Sequence, residues 1–361
     1  MKHWSETAQV VGRAMALASL GRRSAIATVV RVTGSAYRRA GAKFLVQDDG
    51  GTLGGVSGGC LEADVREVAL AVMQTGTPRL LHYDTGGDDR TVWGLGLGCY
   101  GSVDVFVQSA SAPAAAAMVG TLHPLLDAGE RFALCTVVDG PHGVGRWVAA
   151  TAQGPRAGAG QTDPDSALLR LATACLSSGS SRLEQLDAHL VFAELFTPPP
   201  VLIVCGAGDD ARPLVGYAIE SGFRVTVVDH RPALATPDRF PPPTRVRVLQ
   251  PEGDLAALGV DAATSVVIQT HSLAYDREWL RRMLQTDAAY IGLLGPRGRK
   301  EEIVQQVGAA DEARVFGPVG LDLAADGPEQ IAISIVAELL AVRGRRQPRH
   351  LRDRRMAIHA S

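Results

Sequence analysis

The apolar run VLIVC, Val201 to Cys205, passes directly into Gly206-Ala207-Gly208-Asp209-Asp210-Ala211 and then into a helical pattern, ARPLVGYAIESG. An unbroken apolar strand is covered on both faces, which calls for a parallel sheet with helices on either side. A Gly-x-Gly-x-x-Ala turn between such a strand and a helix fits the first crossover of a Rossmann-type sheet. Gly206 makes the tight turn, Gly208 lets backbone approach a pyrophosphate, and Ala211 packs helix on strand. The chain then keeps alternating. RVTVVD, TSVVIQT, AAYIGLLG and RVFGPVG read as strands, with helices through Trp279 and Leu284, from Lys300, and over GPEQIAISIVAELLAVRG. Pro328 and Glu329 suit the first turn of that last helix. This pattern predicts a doubly wound parallel sheet over 201–344.

Ligands of such sheets bind beyond the carboxyl ends of the strands. There the sequence places Asp229, suited to ribose hydroxyls, Arg231, suited to a 2′-phosphate, and His271, a candidate acid or base. Two features compete. Gly206, Gly208 and Asp229 point to NAD(P) or another nucleotide, whereas Asp209 and Asp210 put carboxylates at the helix N-terminus that a pyrophosphate needs.

Thr197-Pro198-Pro199-Pro200 precedes this domain and reads as a stiff linker over 197–200. The residues before it, 1–196, read as a glycine-rich α/β domain. It opens with an amphipathic helix carrying Val10, Ala14, Leu17 and Ala18, then the strands AIATVVRV and KFLVQ, the helix LEADVREVALAVMQTG, and the strands RLLHYDT and SVDVFVQ. SASAPAAAAMV is a linker or a helix start, FALCTVVDG and RWVAA are strand-like, and TAQGPRAGAGQTDPDS reads as an exposed loop. No internal repeat is visible. Beyond Gly344 the tail 345–361 is basic and reads as a solvated end.

Three glycine segments stand out in the first domain: Gly34 to Lys43, Gly54 to Cys60, and Gly94 to Gly101 around Cys99. Cys60 and Cys99 each follow flexible backbone that leaves the sulfur approachable. Cys60 also sits at a helix N-terminus, where the macrodipole favours thiolate, with Glu62 opposing the shift. Arg38, Arg39 and Lys43 add positive charge for an anion. Cys135, Cys175 and Cys205 lie within apolar segments and read as small buried hydrophobes. The five cysteines are widely spaced with no CxxC pair, so neither a disulfide framework nor a one-chain zinc site is expected, and a reducing cytoplasm is. A net charge of −2 excludes a general attraction to nucleic acid, and neither a signal peptide nor a membrane span is expected.

GSAYRRAGAKFLV, GVSGGCLEADV and GLGLGCYGSVDV, followed by VLIVCGAGDDARPLVGYAIESGFRVTVVDHR, IQTHSLAYD, YIGLLGPRGRK and GPVGLDLAADGPEQIAISIVAELLAVR, resemble the XdhC/CoxI family of molybdenum hydroxylase accessory proteins. The middle, 109–195, carries little of the likeness. Tyr37 before Arg38, Tyr100, and Ala324-Ala325-Asp326-Gly327 depart from the family pattern.

The resemblance implies a maturation chaperone, not itself clearly an enzyme. Such a protein binds the molybdenum cofactor as transient cargo, protects it during sulfuration with a cysteine desulfurase, and delivers it to the apo molybdenum hydroxylase; a homo-oligomer is expected. On that reading Arg38, Lys43, Ser57, Gly58, Gly59 and Gly98 hold phosphate or pterin, and Cys60, with Cys99 second, faces molybdenum or transiently carries sulfur. The alternatives are an NAD(P)-dependent oxidoreductase assisted by His271 and a persulfide sulfurtransferase built on Cys60.

Overall fold

The computed structural model describes residues 2–34, 37–84, 101–156, 167–308 and 313–354, and the chain divides into two compact units, 1–198 and 199–361. Among the described residues no helix is long and apolar enough to cross a membrane.

The first unit begins with α1 (Lys2–Ser19), β1 (Ser24–Gly34), β2 (Lys43–Gln47), β3 (Thr52–Gly54), α2 (Glu62–Thr75), β4 (Arg79–Asp84) and β5 (Gly101–Ser109). It continues with α3 (Pro113–Ala128), β6 (Phe132–Asp139), β7 (Trp147–Thr151), β8 (Gly154–Arg156), α4 (Ala167–Ser178), β9 (Arg182–Leu186) and β10 (His189–Phe196). Two antiparallel sheets result, ordered β3-β2-β1-β5-β4 and β8-β7-β6-β10-β9.

These orders are the same order. Adding five to each strand number of the first sheet gives the second, and a helix precedes each set and another lies between its third and fourth strands. The register agrees as well, since Thr28 pairs with Lys43 and Phe106 while Thr136 pairs with Trp147 and Phe192. Left-handed glycines recur at matching places, Gly21 and Gly129 before the first strand, Gly76 and Gly179 before the fourth. The unit is therefore an internal repeat, contrary to the expectation of none. The two halves share turn geometry and burial pattern while most residue identities differ, so direct inspection of the sequence does not expose it.

Helix α2 packs on the outer face of the first sheet through Val65, Ala69 and Val72 against Ala27, Val29 and Val105. In the same way α4 covers the second sheet, with Leu171 and Cys175 against Cys135 and Val191. The inner faces meet through matched residues of the repeat, Val30 with Val138 and Phe106 with Phe192. SASAPAAAAMV thus resolves as the start of α3, whose Met118 and Leu122 pack with Val10 and Leu17 of α1.

The second unit comprises β11 (Val201–Cys205), α5 (Ala211–Glu220), β12 (Arg224–Asp229), β13 (Arg245–Val248), β14 (Ser265–Ile268), α6 (Leu273–Met283), β15 (Tyr290–Leu293), α7 (Arg297–Val307), β16 (Val315–Phe316) and α8 (Gly327–Arg343). Its strands are parallel throughout, in the order β13-β12-β11-β14-β15-β16. That is the doubly wound Rossmann order, and its reversal between β11 and β14 makes the switch-point crevice. Helix α7 starts at Arg297, one turn earlier than Lys300, because Pro296 is extended at its N-cap. Strand β13 is absent from the sequence pattern; its residues RVRV stay largely solvated on the sheet edge.

Candidate functional site

Strands β1, β3 and β4 run together, and β2 and β5 run against them. The ends of β1, β3 and β4 and the starts of β2 and β5 therefore share one edge of the first sheet. From that edge leave the segments that follow Gly34, Gly54 and Asp84, which are the three glycine segments singled out above. Cys99 and Gly98 lie outside the described residues; the flanks of their segment, Asp84 and Gly101, are both at this edge.

The segment 55–61 is built around Ser57 and Glu62. The Glu62 carboxylate accepts from the amides of Val56 (3.0 Å) and Ser57 (2.8 Å) and from the Ser57 hydroxyl. Ser57 Oγ in turn accepts from the amides of Gly59 (3.0 Å) and Leu61 (3.1 Å). Burial works against ionisation of Glu62, but the bonds from Ser57 and Val56 outweigh it and hold the carboxyl below its usual range. Two expectations change. Glu62 is a brace for the loop backbone, and Ser57 Oγ and the Gly59 amide are spent inside the loop instead of being offered to a ligand. Among the described residues, the amides of Gly58 and Cys60 have no acceptor. Cys60 is half-buried just ahead of α2, with Leu61 at the helix N-cap.

The preceding loop lies against this one, since a β-carbon on Gly58 would stand 3.6 Å from Tyr37 Cγ, while the tyrosine is 77% exposed. Its basic residues divide. Arg38 is committed to Glu6 of α1 in a half-buried ion pair. Lys43 points into the unit and pairs with Glu194 of β10, Nζ to Oε2 2.8 Å, with both side chains buried. Neither is offered to an anion at this edge, because each neutralises a carboxylate that would otherwise be stranded. Arg39 is the exposed cation there and has no ion-pair partner among the described residues. Tyr83, at the end of β4, donates to Asp64 in the first turn of α2, and burial together with that carboxylate pushes the phenol up. Sequence reasoning missed both, because their pairing depends on the packing of α2 over β4.

In the second unit the side chains expected to meet a nucleotide are engaged with one another. Gly206 has φ +124°, and a β-carbon there would come 2.3 Å from the Gln269 carbonyl oxygen, so only glycine fits beside the β14 loop. Asp229 is buried and its carboxylate accepts from the Ala207 amide (2.7 Å) and from Arg231 Nε (2.9 Å) and Nη2 (2.7 Å). Burial opposes its ionisation, but these donors pull its pKa down to about 2. Asp229 and Arg231, expected to meet a ribose and a 2′-phosphate, are thus paired with one another. Asp209 pairs with Arg239 at 3.0 Å. Asp210 folds back so that its Oδ1 stands 2.5 Å from a β-carbon placed on Gly208, and its Oδ2 accepts from His271 Nε2 at 2.8 Å. His271 adopts φ +61°, a left-handed conformation uncommon outside glycine, and holds the pair with Asp210. A carboxylate over the second glycine and an internally satisfied Asp229 do not fit a dinucleotide pyrophosphate and ribose.

Cys135, Cys175 and Cys205 are buried and unpaired, as expected of small hydrophobes, and burial pushes the Cys135 and Cys205 thiols up. Among the described residues, no cluster of three or more His, Cys, Asp or Glu side chains could hold a metal ion.

Comparison with known proteins places this geometry. Residues 4–84 match the XdhC and CoxI family, and residues 202–339 match the XdhC Rossmann domain. A probable xanthine dehydrogenase subunit of Bacillus subtilis is 30% identical over 328 residues, 89% of this chain and 93% of that protein. The molybdenum cofactor insertion chaperone PaoD of Escherichia coli is 24% identical over 328 residues, 90% of this chain and 84% of its own. A crystal structure of a xanthine dehydrogenase from Bacillus halodurans superposes with a TM-score of 0.79 at 30% identity, over 93% of this chain and 96% of that one. Glycine segments that follow strands at one edge of an antiparallel sheet, a parallel six-stranded sheet and likeness along nearly the whole chain agree, and the chain belongs to the XdhC and CoxI family.

Proposed function

We propose that this chain is an accessory protein for a molybdenum hydroxylase of the xanthine dehydrogenase type. It takes up the molybdenum cofactor at the glycine-loop edge of the first sheet, shields it while sulfur is installed with a cysteine desulfurase, and passes it to the apo-enzyme. The likeness to PaoD along most of both chains supports cofactor insertion as the task.

The observation that carries the reading is the set of groups on the two adjacent loops that carry Tyr37 and Cys60. The cargo presents a phosphate, a planar pterin and a soft-to-borderline metal bound by sulfur. The unpaired amides of Gly58 and Cys60 and the guanidinium of Arg39 suit the phosphate. The exposed ring of Tyr37 suits the pterin plane. The Cys60 thiol, at the start of α2, suits molybdenum or a transferable sulfur, with Cys99 the second candidate. Cargo must also leave, so a site assembled from a few loop contacts and no closed ligand cage serves delivery.

The test is reconstitution. Chain loaded with released cofactor and then desalted is mixed with apo-hydroxylase, and it should restore more activity than the same amount of free cofactor. Equal restoration by free cofactor would remove the delivery role.

A further inference from the structure

The two halves of the internal repeat differ at one charged cluster. Arg31 of β1, Asp104 of β5 and His82 of β4 are direct cross-strand partners, side by side on neighbouring strands. All lie on the inner face of the first sheet. Asp104 alternates with Phe106 and His82 with Leu80 along their strands, and a bulge between Val29 and Arg31 turns Arg31 to the same side. The cluster stands close to the strand ends Gly34, Asp84 and Gly101, at the edge from which the glycine segments leave.

Asp104 is only 2% exposed, and both oxygens of its carboxylate are occupied. Oδ2 accepts from Arg31 Nε at 2.7 Å and Nη2 at 2.6 Å, and Oδ1 accepts from His82 Nδ1 at 2.5 Å. A buried carboxylate is costly even when paired, and the fold does not require this one. The second half carries the same bulge, and its register places Asp139 where Arg31 stands, Leu190 where Asp104 stands and Gln185 where His82 stands. The same strand arrangement therefore forms with leucine at this position.

What the carboxylate does is orient its two partners. An ionised carboxylate only accepts, so the imidazole proton is fixed on Nδ1 and Nε2 is left free. The Arg31 and His82 side chains are 52% and 61% exposed, and neither Arg31 Nη1 nor His82 Nε2 has a partner among the described residues. We propose that Arg31 and His82, positioned by Asp104, form a binding site for a phosphate group on the inner face of the first sheet. A phosphate suits both, since its hydroxyl donates to Nε2 while its anionic oxygens accept from the guanidinium. A carboxylate ligand, acceptor only, would satisfy the arginine and leave Nε2 unmatched. The site is separate from Cys60, which packs with the cluster on the outer face, and it does not depend on the cargo assigned to that loop.

The test is NMR of the histidine ring signals of the full chain during titration with inorganic phosphate. The His82 signals, assigned with His82→Gln, should shift saturably in the millimolar range, as suits exposed donors, and potassium chloride at matched ionic strength should not move them. Asp104→Leu copies the second half, so the fold should hold. In that variant the His82 proton should leave Nδ1 for Nε2, and phosphate affinity should fall about tenfold or more. Should it unfold, Arg31→Gln, at an exposed side chain, should weaken phosphate by about the same factor with unchanged circular dichroism. Glycerol phosphate separates two sources of the ligand: binding tighter than phosphate assigns the site to the phosphate ester of a larger molecule, and weaker binding assigns it to the free anion. No saturable shift in the parent chain, an equal shift with chloride, or undiminished phosphate affinity in folded Asp104→Leu or Arg31→Gln would each overturn the proposal.

Discussion

Lys43 of β2 and Glu194 of β10 form a buried ion pair, Nζ to Oε2 2.8 Å, between residues 151 apart in sequence. The pair ties one half of the internal repeat to the other. Its counterparts in the repeat are not a second ion pair. Register places Trp147 where Lys43 stands and Gln108 where Glu194 stands, so the two halves have diverged at this position.

Lys43→Met should destabilise the protein by about 3–5 kcal/mol, because it strands the Glu194 carboxylate in the core. Replacing both partners, Lys43→Met with Glu194→Leu, should recover most of that loss. Burial already holds the Glu194 carboxyl above its usual range against the pull of Lys43. A carboxyl raised in the folded state binds more protons there than in the unfolded chain, so stability falls as pH rises through that window. The Lys43→Met deficit should therefore be smaller at pH 5 than at pH 8, as read by urea unfolding.

Asp229 titrates in the opposite sense. Its folded pKa of about 2 lies below the ordinary 3.8, so its stabilisation is complete above about pH 5 and is lost as pH falls toward 2. The shift corresponds to roughly 2 kcal/mol. Asp229→Asn should lower stability by about that amount at pH 7 and by little at pH 2, which denaturation at the two pH values would show.

Asp210 occupies the space over Gly208 and is held there by His271. Asp210→Ala should raise affinity for NAD or NADP at least tenfold, on the order of 1.4 kcal/mol, by removing a carboxylate from the helix N-terminus. Isothermal titration of the parent chain and the variant would test this. Equal, tight binding to both would mean that Asp210 does not bar the crevice.

The two adjacent arginines should behave differently. Arg39→Ala should weaken binding of the pterin phosphate roughly tenfold without changing the melting temperature. Arg38→Ala should lower the melting temperature, since it leaves Glu6 half-buried without its cation, as differential scanning calorimetry would report.

The second unit was legible because its signals are local. In the first crossover a buried strand, a glycine turn and a helix stand within about twenty residues of one another, and Gly206 needs its neighbours only to confirm it. The first unit was not legible in that way. Its repeat is carried by turn positions such as Gly21 and Gly129, or Gly76 and Gly179, and by matched core residues such as Phe106 and Phe192. The commitment of Arg38 to Glu6, 32 positions away, and of Lys43 to Glu194 depends on packing that periodicity does not report. At the Cys60 loop the residue types stood out, but their division of labour did not. Ser57 and Glu62 brace the backbone, and the amides of Gly58 and Cys60 have no acceptor among the described residues.

Native mass spectrometry of the full chain purified from a host that makes molybdenum cofactor tests the central claim most directly, with Cys60→Ala purified in parallel. A folded parent chain should carry the mass of a molybdenum-bearing pterin, and the folded Cys60→Ala chain should carry much less of it. A parent chain with no pterin mass, with a nicotinamide dinucleotide instead, or with cofactor retained equally by Cys60→Ala would contradict the assignment of cargo to this loop.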